Sequence, residues 1–405
     1  MLGVTQALIP SWSNIRDMDF EHSEFERMLR SSVRSITDDY DQAYWQDIQR
    51  TQAFPEALWQ DLADHDMLGV AIPEAYGGQG LGVQEQVAVI EELGFGGAWP
   101  AASSYIVTPV FGGETLAAHG SERLKEEWLP RIADGDARWA LGVTEPDAGL
   151  NTLNLDTFAE RDGEEFVING QKMWTSAVDM ADRITLLTRT IPKADADPPS
   201  HGFTVFLVDP DDPNVQYEEI PIDGYFPEPT YTVHFDGVRV HESQVVGAVD
   251  EGLHQLFDML NVERIASAAQ AVAAGRYALE EAVDYANDRA VFDEPIGAHQ
   301  AIQHPLADAY ADLELARLMI RKAAWQYDDD EPAGTASNIG KLKGAEAGWT
   351  ACEAAMSTLG GLSISAEMEV SRIWKFVRHL RIIPITEEMI RNYIAERELD
   401  LPRSY

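Results

Sequence analysis

The chain has 405 residues, 45% of them hydrophobic, enough to bury one large composite core or about two or three domain cores. Its 69 acidic residues against 30 Lys and Arg give a formal net charge of −39, and such a surface excludes nucleic acid and anionic membranes as partners. A single cysteine, Cys352, excludes an intrachain disulfide and fits a reducing cytoplasm.

The acid is spread along the chain, and there are only seven lysines. Ten Trp and the apolar share argue for a folded protein rather than an acidic disordered one. The expected surface is acidic and Lys-poor, as suits a salt-rich cytoplasm. The opening MLGVTQALIPSWSN has no Lys or Arg before Arg16 and no long apolar core, so no signal peptide is expected. No run of 18 apolar residues occurs, so no transmembrane helix is expected.

In chain order, residues 17–137 read as a helical domain. SEFERMLRSSVRSITDDY has apolar residues at helical spacing, with Ser23 placed to cap it and Glu26 three residues on. FPEALWQDLADHDMLGVAI is a second amphipathic stretch, closed by the turn EAYGGQGLG; VQEQVAVIEELGFG is a third helix and SERLKEEWLPRIADG a fourth. GGQGLG superficially suggests a dinucleotide fingerprint, but its glycine spacing is wrong and no strand precedes it, so a turn is expected.

Over 138–248 the period changes. DTFAERDGEEFVINGQKMW reads as two strands around Asp162-Gly163, and RITLLTRT, GFTVFLVD and YTVHFDGVRV alternate or run β-branched. From 249 to 405 helical periodicity returns, with long stretches at 251–290, 300–327, 336–358 and 367–381. The order of helices, β module and helices lacks βαβ alternation and excludes a doubly wound sheet. No metal-spaced His/Cys cluster, P-loop or nucleophile elbow occurs.

Within the first C-terminal helix, LNVERIASAA places Glu263 on a mainly apolar face. Leu256, Met259, Leu260 and Ala266 lie three, four or seven residues from it, Ala274 continues the stripe, and Ser267 and Gln270 share the face. A carboxylate there is paired, protonated or functional. A salt bridge to an arginine across the interface and a chemical role are both open at this point.

WALGVTEPDAGLNT (139–152), INGQKMWTSAVDMAD (168–182) and NDRAVFDEPIGAHQAIQHPLAD (287–308), followed by LGG (359–361), together resemble the acyl-CoA dehydrogenase family over nearly the whole chain. The resemblance implies an α+β multi-domain fold: an N-terminal α-helical domain, a central β-barrel-like domain and a C-terminal four-helix bundle. It implies FAD, with Val143, Thr144 and Gly149 around the flavin's polar edge, Trp174 packed on the ring and Ser176 near its reactive N5. It also implies Arg289 at the pyrophosphate, Phe292, Gln300, Gly360 and Gly361 at further dinucleotide contacts partly reaching a neighbouring subunit's cofactor, and Thr386 and Glu388 near the adenosine. A homo-oligomer follows, a tetramer built of two dimers.

Two departures stand out. Leu150 and Asn151 replace the Ser-Asp that usually follows T-E-P-x-A-G, near the arm of the CoA. In Ile383-Pro384-Ile385-Thr386, proline takes the place of the usual catalytic glutamate. Some members instead carry the base on the first long C-terminal helix before an arginine, which implies Glu263 as base, with Asn261, Arg264 and Ile385 towards the substrate. Pro384 has no N–H to polarise the thioester carbonyl, so Ile385 is expected to supply it. The implied reaction is FAD-dependent α,β-dehydrogenation of an acyl-CoA, with electrons passed to an electron-transfer flavoprotein. The alternatives are a flavin monooxygenase on the same scaffold and a degenerate, non-catalytic binding subunit.

Overall fold

The computed structural model of the chain describes residues 22–404; the start of the expected first domain, 17–21, lies outside the described residues. Helix α1 (Glu24–Thr37) begins where the Ser23 hydroxyl accepts a hydrogen bond from the Glu26 amide at 2.9 Å. It is followed by α2 (Gln42–Thr51), α3 (Glu56–Asp64) and α4 (Val83–Phe95). Then come α5 (Ala101–Tyr105), a π-helical segment (Ile106–Glu114) and α6 (Thr115–His119), which run on from one another. Helix α7 (Glu122–Ala133) is capped by Ser121. The sequence reading has no helix at α2 or over 101–119. Segment 101–119 contains Pro109 and Gly112-Gly113, ordinarily helix breakers, but the wider π turn absorbs the missing N–H of the proline.

The β module consists of β1 (Trp139–Gly142), β2 (Phe158–Asp162), β3 (Glu165–Ser176), β4 (Arg183–Arg189), β5 (Phe203–Val208), β6 (Val215–Glu219), β7 (Thr230–His241) and β8 (Val245–Val246). β2 and β3 form the expected hairpin, with Asp162 opposite Glu165 and Gly163 at φ +69° in the turn. The strand order is β6-β7-β3-β2-β4-β5-β8, with β1 also parallel on β4. β6 and β8 do not pair with each other, so the sheet is open and the barrel-like description holds only loosely.

The C-terminal part holds α8 (Gly252–Asp288), a short hairpin of β9 (Ala290–Val291) and β10 (Glu294–Pro295), α9 (Gln300–Asp328), α10 (Gly334–Leu359), α11 (Val370–Leu380) and α12 (Glu387–Arg397). α8 and α10 cross closely because small residues face each other there: a Cβ built on Gly275 would stand 2.6 Å from the Gly348 Cα. One hydrophobic core runs from Leu29, Val33, Val89 and Leu93 of the N-terminal helices into Val272, Ala351 and Phe376 of the C-terminal ones. A second joins Trp128 and Trp139 to Leu253, Leu256 and Met259 at the start of α8.

A buried charge cluster pins α1, α4 and α9 together. The Glu91 carboxylate lies 2.7 Å from Arg30 and 3.0 Å from Arg317. Burial works to raise its pKa, but the two guanidinium groups outweigh it and hold the carboxyl down at about 2.

Candidate active site

A cavity of about 350 Å³ opens where α8 passes the sheet and the π-helical segment. Leu256, Leu260, Glu263, Ser267 and Gln270 line it, spaced four, three, four and three residues apart, so one continuous face of α8 forms a wall. Ser103, Ile106, Val107 and Phe111 form the wall opposite. A second cavity of about 870 Å³ adjoins, and Trp174, Ser176, Glu228, Phe376 and His379 line both.

Glu263 is 8% exposed, and its Oε2 has no hydrogen-bond partner among the described residues. Burial pushes the carboxyl up to about 7, against the pull of Arg264 and Lys341. Neither cation closes an ion pair with it. Arg264 donates from Nη1 to Asn261 Oδ1 at 3.1 Å, and Lys341 donates from Nζ to the Leu380 carbonyl at 2.6 Å. The salt bridge left open by the sequence is therefore not made among the described residues.

Trp174 is set by a bulge. Between Lys172 and Thr175 the pairing of β3 with β7 gains one residue on β3: Lys172 faces Val233 and Thr175 faces Tyr231. Trp174 takes up the slack at φ +60°, a sparsely populated conformation for a bulky residue, and leaves its indole 53% exposed at the cavity. Such strain persists where the surroundings enforce it, often at functional sites. Ser176 follows, with no hydrogen bond from its hydroxyl to any described residue.

What enforces it is a pair that sequence reasoning passed over. Lys172 is fully buried, and its Nζ donates to Glu145 Oε1 at 2.9 Å and to the Val143 carbonyl at 3.0 Å. Glu145 also accepts from the Asp156 and Thr157 amides, at 2.6 and 2.9 Å. Burial lowers the lysine to about 8 while Glu145 holds it charged. The Met173 amide donates to the Thr144 carbonyl at 2.9 Å. The two motifs are thus locked together at Val143-Thr144 and at the foot of Trp174. Opposite charges in both motifs were the available signal, but only the fold brings them into contact.

Val143, Thr144, Gly149, Trp174, Ser176 and Glu263 all line the first cavity. Arg289, Phe292, Gln300, Gly360 and Gly361 do not; they lie exposed on the C-terminal helical part, Phe292 at 89% on the β9–β10 hairpin and Gly360 at φ +56° at the end of α10. Thr386 caps α12 by accepting from the Met389 amide, and Glu388 is exposed in its first turn. Ile383 and Pro384 line the cavity, whereas Ile385 does not. Leu150 is exposed, next to the lining residue Gly149, and Asn261 and Arg264 lie on α8 outside the cavity lining. Ser103, Glu228 and His379 are lining residues that sequence reasoning missed.

Three family descriptions match in succession: Acyl-CoA dehydrogenase, N-terminal domain over residues 23–136, middle domain over 140–238 and C-terminal domain over 250–399. The acyl-CoA dehydrogenase FadE12 of Mycobacterium tuberculosis is 39% identical over 391 residues, spanning 96% of this chain and 100% of the relative. A 3-(aryl)acrylate reductase of Clostridium sporogenes is 28% identical over 93% of this chain and 99% of its own. Among solved structures, a glutaryl-coenzyme A dehydrogenase with glutaryl-CoA superposes with a TM-score of 0.89 at 27% identity, covering 96% of this chain and 98% of that one. The FAD complex of PigA gives 0.89 at 25% identity, covering 95% and 100%.

Proposed function

The chain belongs to the acyl-CoA dehydrogenase family, and on that premise we propose that it converts an acyl-CoA thioester to a 2-enoyl-CoA with Glu263 as the base. It is an oxidoreductase acting on CH–CH groups, with FAD as cofactor. The lining of the cavities fits that group: the half-exposed indole of Trp174 offers a flat wall, and the unengaged Ser176 hydroxyl offers a hydrogen bond at its edge. FAD, when bound, supplies the acceptor for the hydride leaving Cβ.

Glu263 takes the α-proton on its unpartnered Oε2. A base titrating near 7 is both ionised in useful fraction at neutral pH and strong enough to accept the proton. Leu256 and Leu260 keep water from the chain beside it. Pro384 lines the cavity without an N–H, and the adjacent Ile385 amide, outside the lining, comes to polarise the thioester carbonyl through a local shift. Asn261, Arg264 and Leu150 bound the route of the CoA arm.

The exposed set, Arg289, Phe292, Gln300, Gly360 and Gly361, serves the dinucleotide end of a neighbouring copy's FAD, with Thr386 and Glu388 towards the adenosine. Its separation from the cavity within one chain supports a site completed by two subunits in a homotetramer. An electron-transfer flavoprotein receives the electrons, and the acidic surface suits a salt-rich cytoplasm. Among the described residues no helix is long and apolar enough to cross a membrane.

The observation that carries this reading is Glu263, a buried, unpaired carboxylate facing the same cavity as Trp174 and Ser176. The test is anaerobic titration of the FAD-loaded protein with a panel of saturated acyl-CoAs, read by flavin absorbance. Bleaching by at least one chain length is expected. A flavin that none bleaches, or that reoxidises in air within the dead time of mixing as a monooxygenase's would, defeats the proposal.

A further inference from the structure

The lining of the cavity is apolar along the first part of the α8 wall and polar further along it. Leu256, Phe257 and Leu260 form the apolar part, with Phe257 exposed. In the polar part Gln270 is only 2% exposed. Its Nε2 donates to Ser103 Oγ at 2.8 Å and to the Trp99 carbonyl at 3.3 Å. That leaves the Gln270 carbonyl oxygen as an acceptor and the Ser103 hydroxyl proton as a donor, neither engaged by another described residue.

Glu228, at the junction of this cavity with the adjoining one, is 5% exposed and makes no ion pair among the described residues. The Ser104 hydroxyl lies beside its carboxyl without meeting hydrogen-bond geometry, and Arg138 and Asp179 act on it only at longer range. Burial pushes this carboxyl up to about 7. A pocket built for hydrocarbon alone would leave the buried Glu228 carboxyl without a partner and the Gln270 carbonyl and Ser103 hydroxyl proton unused.

Resting on the reading of this cavity as an acyl pocket, we propose that the acyl group accepted here carries a hydroxyl near its far end, held by Ser103, Gln270 and Glu228. A hydroxyl accepts from Ser103 and donates to the Gln270 carbonyl or the Glu228 carboxyl, so it satisfies groups that a methyl end leaves unpaired.

The helix supplies the length. Gln270 lies seven residues beyond Glu263 on the same face of α8, about 10 Å at the helical rise. An extended chain advances roughly 1.2 Å per bond, so about eight bonds separate the carbon facing Glu263 from the polar end. The matching substrate is a medium-chain, hydroxylated acyl-CoA, and the reaction that supplies it is an oxygenation of the chain terminus followed by thioester formation.

The experiment uses the FAD-loaded protein and two CoA thioethers, S-decyl-CoA and its ω-hydroxy counterpart, which bind but have no carbonyl to activate. Calorimetry should show the hydroxylated ligand binding at least ~10-fold more tightly, in line with one or two buried hydrogen bonds. Gln270→Leu and Glu228→Leu should each abolish or reverse the preference, while Glu228→Gln, which keeps an acceptor, should retain most of it. Equal or tighter binding of the plain chain by the native protein overturns the proposal. So does a preference that survives both leucine variants, or a failure of both ligands to bind. The corresponding thioesters separate the two readings: a binding preference without flavin bleaching by either thioester upholds the polar pocket and defeats the dehydrogenation.

Discussion

Replacing Glu263 by Gln keeps the shape of the side chain and removes its charge, and two effects should move in opposite directions. Titration near 7 in the folded chain against 4.5 unfolded, at about 1.4 kcal/mol per pH unit, means the ionised carboxylate costs the fold roughly 3 kcal/mol. The sign follows from the raised value: the folded state holds the proton more tightly. The favourable contribution is therefore complete below 4.5 and is lost as pH rises through 7. Below about pH 4 the native protein and Glu263→Gln should be equally stable, with only a small part of the difference present at about pH 5. Above pH 8 the variant should be the more stable by up to roughly 3 kcal/mol. Urea unfolding in molar KCl at pH 5 and pH 8.5 reads that difference directly. In the same preparations FAD should stay bound, while bleaching by acyl-CoA should slow by at least ~10²-fold, as for loss of a positioned base. In the native enzyme kcat/KM should rise with pH to a plateau above an apparent pKa near 7. A variant that is less stable at pH 8.5 and still bleaches would refute the reasoning, because that is how a structural ion-pair partner behaves.

Trp174→Gly should relieve the φ +60° strain, leaving the stability of the FAD-free protein unchanged or raised by ~1 kcal/mol, while flavin content at purification falls; a large drop in apoprotein Tm would count against the bulge as a cofactor device. Lys172→Met strips Glu145 of its cation in a buried setting and should lower stability by about 3 kcal/mol and FAD retention with it, checked by thermal melts and absorbance. Glu91→Gln should cost about 3–5 kcal/mol at neutral pH. Because the folded Glu91 carboxyl is held at about 2, its stabilisation is present above about pH 4.5 and lost as pH falls toward 2, so acid unfolding of the native protein should steepen across that window and flatten in the variant. With a net charge of −39, Tm should climb between low and molar KCl, where the Debye length shrinks to roughly 3 Å; a flat response would remove the case for a salt-rich habitat.

Much of the scaffold was legible because its signals are local. Ser23 and Ser121 announce helix starts through their hydroxyls, and Gly163 announces the β2–β3 turn. The stripe through Leu256, Glu263 and Gln270 is legible in the sequence because helical periodicity fixes a face. What stayed hidden depends on partners far along the chain. α2 buries only Trp45 and Gln49, too few to print a pattern. Pro109 and the two glycines after it read as breakers, since nothing local announces a π turn. Lys172 and Glu145 are 27 residues apart and meet only when β3 lies beside the turn after β1. Glu228 and Ser103 come from distant stretches of the chain and meet only as lining of one cavity.

The hydrophobic core that runs without a seam from Leu29 and Val89 into Val272 and Phe376 bears on how this chain can be cut and recombined. Its first hundred or so residues bury their apolar faces against helices made from the last hundred and fifty. A fragment ending near residue 136 would leave Val89 and Leu93 facing water and would aggregate rather than fold. A ribosome must therefore release nearly the whole chain before the first helices find their place. Chimeras that join such helices to a foreign C-terminal part would inherit a mismatched interior, however well the joints were chosen.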